Sequence, residues 1–204
     1  MLMPRKAGLA GLAFLLALPA AAADFSDPEW PCVQRKVESL SLGLMWASEI
    51  AEEGLPDDRA GAGAELVETL ILRRIPVEEI PVRVDAFIAA HPDVGDAELG
   101  SLFEAAFTRV NRERTRLVKG ITRYSLAQIE AAKRIDAART EMDRLMAMDD
   151  PDYDRVDALE EQIDWDERIY RDRQQSLTYV CETPVLMEKR LFAIAQALSA
   201  HLSG

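Results

Sequence analysis

Apolar residues recur along residues 107–145 in alternating steps of three and four: Phe107, Val110, Arg114, Leu117, Ile121, Tyr124, Gln128, Ala131, Ile135, Ala138, Met142 and Leu145. All but Arg114 and Gln128 are apolar or Tyr. Such a repeat holds one narrow stripe of a helix against a partner, so it predicts a long helix with a coiled-coil seam. After Asp149-Asp150-Pro151-Asp152 the seam resumes as Val156, Leu159, Ile163, Asp166, Tyr170, Arg173, Leu177 and Val180. The acidic turn with its proline interrupts the helix, and Asp152 is placed to cap the next one. The chain is therefore expected to double back as an antiparallel hairpin.

A hairpin requires that the residue numbers of facing layers keep a constant sum, and this condition is met. It pairs Leu145 with Val156, Met142 with Leu159, Ala138 with Ile163, Ala131 with Tyr170, Tyr124 with Leu177 and Ile121 with Val180. Gln128 then falls opposite Arg173, a polar layer expected to fix register. Asp166, opposite Ile135, is the one position out of pattern. Charge agrees with the pairing: residues 109–139 carry nine basic and three acidic side chains, residues 152–173 nine acidic and four basic. Arg139 and Glu160 should flank the seam at one height. Residues 121–148 would form an arm about 42 Å long if fully helical.

The flanking segments read as shorter helices. Residues 33–50 show Val37, Leu40, Leu44 and Met45 at roughly helical spacing, interrupted by Gly43. An acidic turn at residues 54–58 should cap a helix over 59–74, with Leu66, Leu70 and Ile71 inward. Pro76 and Pro81 precede a third, carrying Val84, Phe87 and Ile88, which His91-Pro92 stops. Asp96 should cap the long helix, whose apolar face opens with Leu99, Leu102, Phe103, Ala106 and Phe107. Thr183-Pro184 should end the returning arm and start a last helix with Leu191, Ile194 and Leu198 buried. Only 6% of residues are aromatic, and alternating β-branched segments are missing, which disfavours a sandwich or barrel. The expected fold is all-α: a single helical domain over residues 24–204. A lead segment and short helix (24–56), further short helices (57–106) and a C-terminal helix (183–204) pack at the base of a long antiparallel coiled-coil hairpin (107–182).

Residues 1–23 combine Arg5 and Lys6, an apolar run too short to span a bilayer, and Ala21-Ala22-Ala23 before Asp24. This is the pattern of a secretory signal peptide, and it predicts a periplasmic or secreted protein with no membrane insertion after cleavage. Removing it changes the formal net charge from −12 to −14. A nucleic-acid role is disfavoured by both charge and compartment. Cys32 and Cys181, the only cysteines, are expected to form a disulfide at the root of the hairpin.

Candidate chemistry is sparse. The two histidines, His91 and His201, read as exposed helix-end residues, and neither accompanies a nucleophile elbow. Gly61-Ala62-Gly63 lacks the strand and the Lys-Ser/Thr pair of a phosphate loop and reads as a flexible helix start. Asp150, Asp152, Asp154 and Glu161 take positions one, three, five and twelve of a calcium-loop spacing, but Arg155 stands where that loop needs glycine. Met142, Met146 and Met148 gather near the same tip, where thioethers would suit Cu(I) but equally fill packing gaps. Trp165 sits beside the seam, either as an exposed aromatic contact or packed on a neighbouring helix. No cofactor is implied. The sequence thus points to a non-enzymatic, exported interaction, scaffold or chaperone-like module that meets a protein partner in the cell envelope or a second copy of itself. Trp165, Gln128 and Arg173 are its candidate contact residues. The alternative is an envelope module that binds a small ligand, calcium or copper.

Overall fold

The computed structural model describes residues 27–203 apart from Pro28 and Glu53, so the leader read at residues 1–23 lies outside the described residues. Among the described residues four α-helices follow one another: α1 (Asp57–Ile71), α2 (Ile80–Ala90), α3 (Asp96–Met146) and α4 (Tyr153–Ser199). Single 3-10 turns lie at Leu42–Leu44 and Val77–Glu79, and no strand occurs among the described residues. The fold is all-α. The 51 residues of α3, about 77 Å of helix, pack along the 47 residues of α4 as the expected hairpin. Asp152 caps α4, its Oδ1 accepting from the Arg155 amide at 3.1 Å.

The base core joins α1, α2, the first turns of α3 and the last turns of α4. Leu70, Ile80, Val84, Leu99, Leu102, Phe103, Leu191, Ile194 and Leu198 are almost wholly removed from solvent there. Trp46 stacks on Phe103 with ring centroids 5.2 Å apart. The stripes read from α1, α2, the start of α3 and the C-terminal segment therefore all face one core.

The expected helix over residues 33–50 is absent; only the turn Leu42–Leu44 is helical. The segment is instead a strap that runs antiparallel along α3. Its backbone groups bond to α3 side chains: Val37 O to Arg114 Nη1 at 2.7 Å, Glu38 O to Thr115 Oγ1 at 3.0 Å, and Leu40 N to Asn111 Oδ1 at 3.0 Å. Further up, the Ala51 amide donates to Ala97 O at 2.9 Å, and Ser101 Oγ donates to Ala51 O at 3.2 Å. These partners replace the internal bonds of a helix, which is why helical spacing misled. Gly100 permits the approach, because a Cβ there would lie 2.2 Å from Glu49 O.

The final helix is not separate either. α4 passes through Thr183-Pro184 without a break, and the Thr183 hydroxyl donates to Tyr179 O at 3.4 Å instead of capping a new helix. An interior proline forfeits a backbone bond and costs about 3 kcal/mol. Pro184 is buried, and burial of Leu191, Ile194 and Leu198 on the same helix offsets that cost.

Local capping also differs. α3 starts after Gly95, whose amide donates to Glu98 Oε2 at 3.0 Å. Asp96 accepts from the Ser203 amide and hydroxyl, each at 3.0 Å, which ties the C-terminal end to the start of α3. α1 follows Pro56 with no side-chain cap from the acidic turn, and it ends at Ile71. Gly61-Ala62-Gly63 lies inside α1, where Gly63 packs against Leu55 and Leu102. Neither histidine is fully exposed: His91 packs on Phe87 at 4.7 Å between ring centroids, and His201 Nε2 meets Asp85 Oδ1 at 2.9 Å.

Candidate functional site

The hairpin is anchored at its root, where the Cys32 and Cys181 sulfurs are bonded at 2.00 Å and pack with Ile121, Trp30, Leu117 and Leu177. Val180, expected opposite Ile121, is 36% exposed, and Cys181 occupies the inward place. The seam has slipped by one residue where the segment carrying Trp30 and Cys32 packs against it. One layer lower, Arg114 is buried and bonds through Nε to Glu188 Oε1 at 2.8 Å. Together with its bond to Val37 O, this makes Arg114 a junction of α3, α4 and the strap.

The middle of the arm is thin. Tyr124 Oη donates to Arg173 O, and Gln128 Nε2 donates to Tyr170 O, each at 3.1 Å. The expected side-chain layer between Gln128 and Arg173 does not form. Gln128 is buried and bonds backbone, while Arg173 extends into solvent as do all residues over 171–176. Gln128 Oε1 is buried without a hydrogen-bond partner among the described residues.

The distal half regains an apolar interior. Ile135, Ala138 and Leu145 of α3 cluster with Val156, Leu159 and Ile163 of α4, and Met142 and Tyr170 lie against them. Arg139 reaches Glu167 at 2.5 Å instead of Glu160, still an ion pair of the expected sense between the arms.

At the tip, side chains that would stabilise a core are left in water. Met146 is 52% exposed, Met148 49% and Tyr153 62%, and Trp165 on the outer face of α4 is 63% exposed. Asp152 is used as the helix cap, whereas Asp154 and Glu161 lie two turns apart within α4. Among the described residues no group of three or more His, Cys, Asp or Glu side chains converges as a metal site. Near the tip Glu141 accepts two bonds from Arg144, at 2.8 and 2.9 Å, which hold its carboxyl below the usual range. Chemically the tip offers apolar and aromatic anchors edged by charge. Among the described residues no helix is long and apolar enough to cross a membrane.

Comparison with protein-family models, curated proteins and solved structures found no significant match to this chain.

Proposed function

We propose that the protein is an exported, non-enzymatic interaction module whose helical arm docks a protein partner in the cell envelope. The observation that carries this reading is the exposed set Met146, Met148, Tyr153 and Trp165 on the outer half of an arm stapled only at its root. Large exposed Met and aromatic side chains are the residue types that anchor protein interfaces, and isolated two-helix arms order many residues with little core in return. Export is supported by the secretory pattern of residues 1–23 together with a disulfide that would not persist in a reducing cytosol.

The test is affinity capture from periplasmic extract with the intact protein, with a Met146→Glu/Met148→Glu/Tyr153→Glu variant and with Trp165→Ala. A partner recovered by the intact protein and lost from the tip variant supports the reading. Equal recovery by all three sinks it, and recovery of only a second copy of the chain replaces docking by self-association.

A further inference from the structure

We propose that a groove at the base, between the end of α1 and the facing turns of α3 and α4, binds a single-chain anionic amphiphile: an apolar tail carrying a carboxylate. The groove is about 1000 Å³ in volume, and Ile71, Val110, Leu117 and Met187 give it an apolar floor. Leu186, 50% exposed, stands at its edge. Around that floor are Arg73, Arg109, Arg112, Lys189 and Arg190, in a chain whose formal net charge is −12.

Two carboxylates also line the groove, and both are engaged. Glu68 pairs with Arg109, and Glu113 pairs with Arg116 at 2.8 Å. Arg73, Arg112 and Lys189 have no ion pair among the described residues. Arg190 is buried and donates to two carbonyls, Leu70 O at 2.8 Å and Ile75 O, so it closes the end of α1 without a carboxylate. Burial, and then the neighbouring Arg73 cation, push its pKa down, while Glu78 pulls it up. With both carboxylates of the lining already paired, the cations left over a low-dielectric floor focus potential on a counter-ion, and guanidinium forks suit a carboxylate.

Size decides between a small amphiphile and a protein. The lining spans residues 109–117 of α3, about 12 Å, and residues 180–190 of α4, about 15 Å. That is too short for the ~800 Å² per partner of a stable protein interface. The volume instead lies at the upper end of the roughly 300–1,000 Å³ typical of small-molecule sites. An alkyl chain laid over Val110 and Met187 would keep its carboxylate within a lining that offers the unpaired cations Arg73, Arg112 and Lys189.

The test is calorimetric titration of the protein, purified after export, with dodecanoate below its micellar range. Parallel titrations use dodecyltrimethylammonium, acetate and an acidic amphipathic helical peptide. The expected result is saturable one-site binding of dodecanoate, with no saturation by the ammonium or by acetate. Arg112→Glu/Lys189→Glu and Leu186→Asp each weaken it at least tenfold, whereas Lys133→Glu/Arg155→Glu on the arm leaves it unchanged. All these positions are exposed or at a groove edge, and the ligand comparison on the unaltered protein stands even if a variant misfolds. Absent dodecanoate binding, equal binding of the ammonium, insensitivity to the base variants, or binding of the peptide in place of dodecanoate would each overturn the proposal.

Discussion

Replacing Gly100 by Ala puts the packing of the strap on α3 to a direct test. The new Cβ would sit 2.2 Å from Glu49 O and 3.1 Å from Ile50 Cα, both backbone atoms that no rotamer change can move aside. The strap must shift, and the bonds at risk are Ala51 N to Ala97 O at 2.9 Å and Ser101 Oγ to Ala51 O at 3.2 Å. Overpacking costs about 1–3 kcal/mol and each lost bond about 1 kcal/mol, while alanine returns about 1 kcal/mol of helix propensity. With one of the two bonds lost, the net expectation is a loss of about 2 kcal/mol. Gly120 lies in the same helix, where an added Cβ would meet nothing within 4 Å, so Gly120→Ala should gain about 0.5–1 kcal/mol. At roughly 2–4 °C per kcal/mol for a chain of this size, thermal melts should separate the variants by about 5–12 °C, on opposite sides of the unaltered protein. A Gly100→Ala protein as stable as its parent would refute the docking of the strap.

Other consequences follow from the same geometry. Replacing both Cys32 and Cys181 by Ala should lower stability in urea by about 5 kcal/mol on the chain-entropy account of a 149-residue separation, and a loss below about 1 kcal/mol would contradict it. Arg114→Leu should cost about 2 kcal/mol, less than for a fully buried pair because the Glu188 side chain is 36% exposed. Adding Glu188→Leu should recover part of that loss in a double-mutant cycle. Asp93, bonded to Arg59 at 2.6 Å, has its carboxyl held below the usual range, so its pairing supports the fold above the unfolded-state pKa of about 3.9 and is lost as pH falls through the lower folded value. Arg59→Gln should move that titration up toward the ordinary range, as read by carbon-detected NMR. Amides over 171–176 should exchange faster than those over 156–163, and equal protection would mean the middle of the arm is better packed than its exposed side chains indicate.

Sequence periodicity read the distal arm well because, among the described residues, only two helices meet there. With no third described element to compete, the stripe Ile135, Ala138, Leu145 and its partners Val156, Leu159, Ile163 had one way to be buried. At the root a third element intrudes, and the same periodicity placed Val180 inward where Cys181 belongs. Arg114 carried the missing signal: a long cation on an apolar seam needs acceptors, and it found them in Glu188 and Val37 O, each more than seventy residues away. The strap was illegible for the same reason, since its partners Asn111 and Thr115 belong to a helix whose own pattern makes no reference to it. Pro184 misled because a local breaker was outweighed by a continuous buried stripe. The groove could not be read at all, for its cations are spread over α3, α4 and the loop after α1.

The layers of the hairpin are unequal, and that inequality separates its two ends. The root is held by a disulfide, by the Arg114 junction and by apolar packing of Ile121. The distal cluster is held by six buried apolar side chains. Between them Tyr124 and Gln128 reach only backbone carbonyls, and one buried amide oxygen is left without a partner among the described residues. A buried unpaired acceptor costs about 1–3 kcal/mol. Bending or opening of the arm should therefore concentrate at this layer, while the disulfide-held base keeps its geometry.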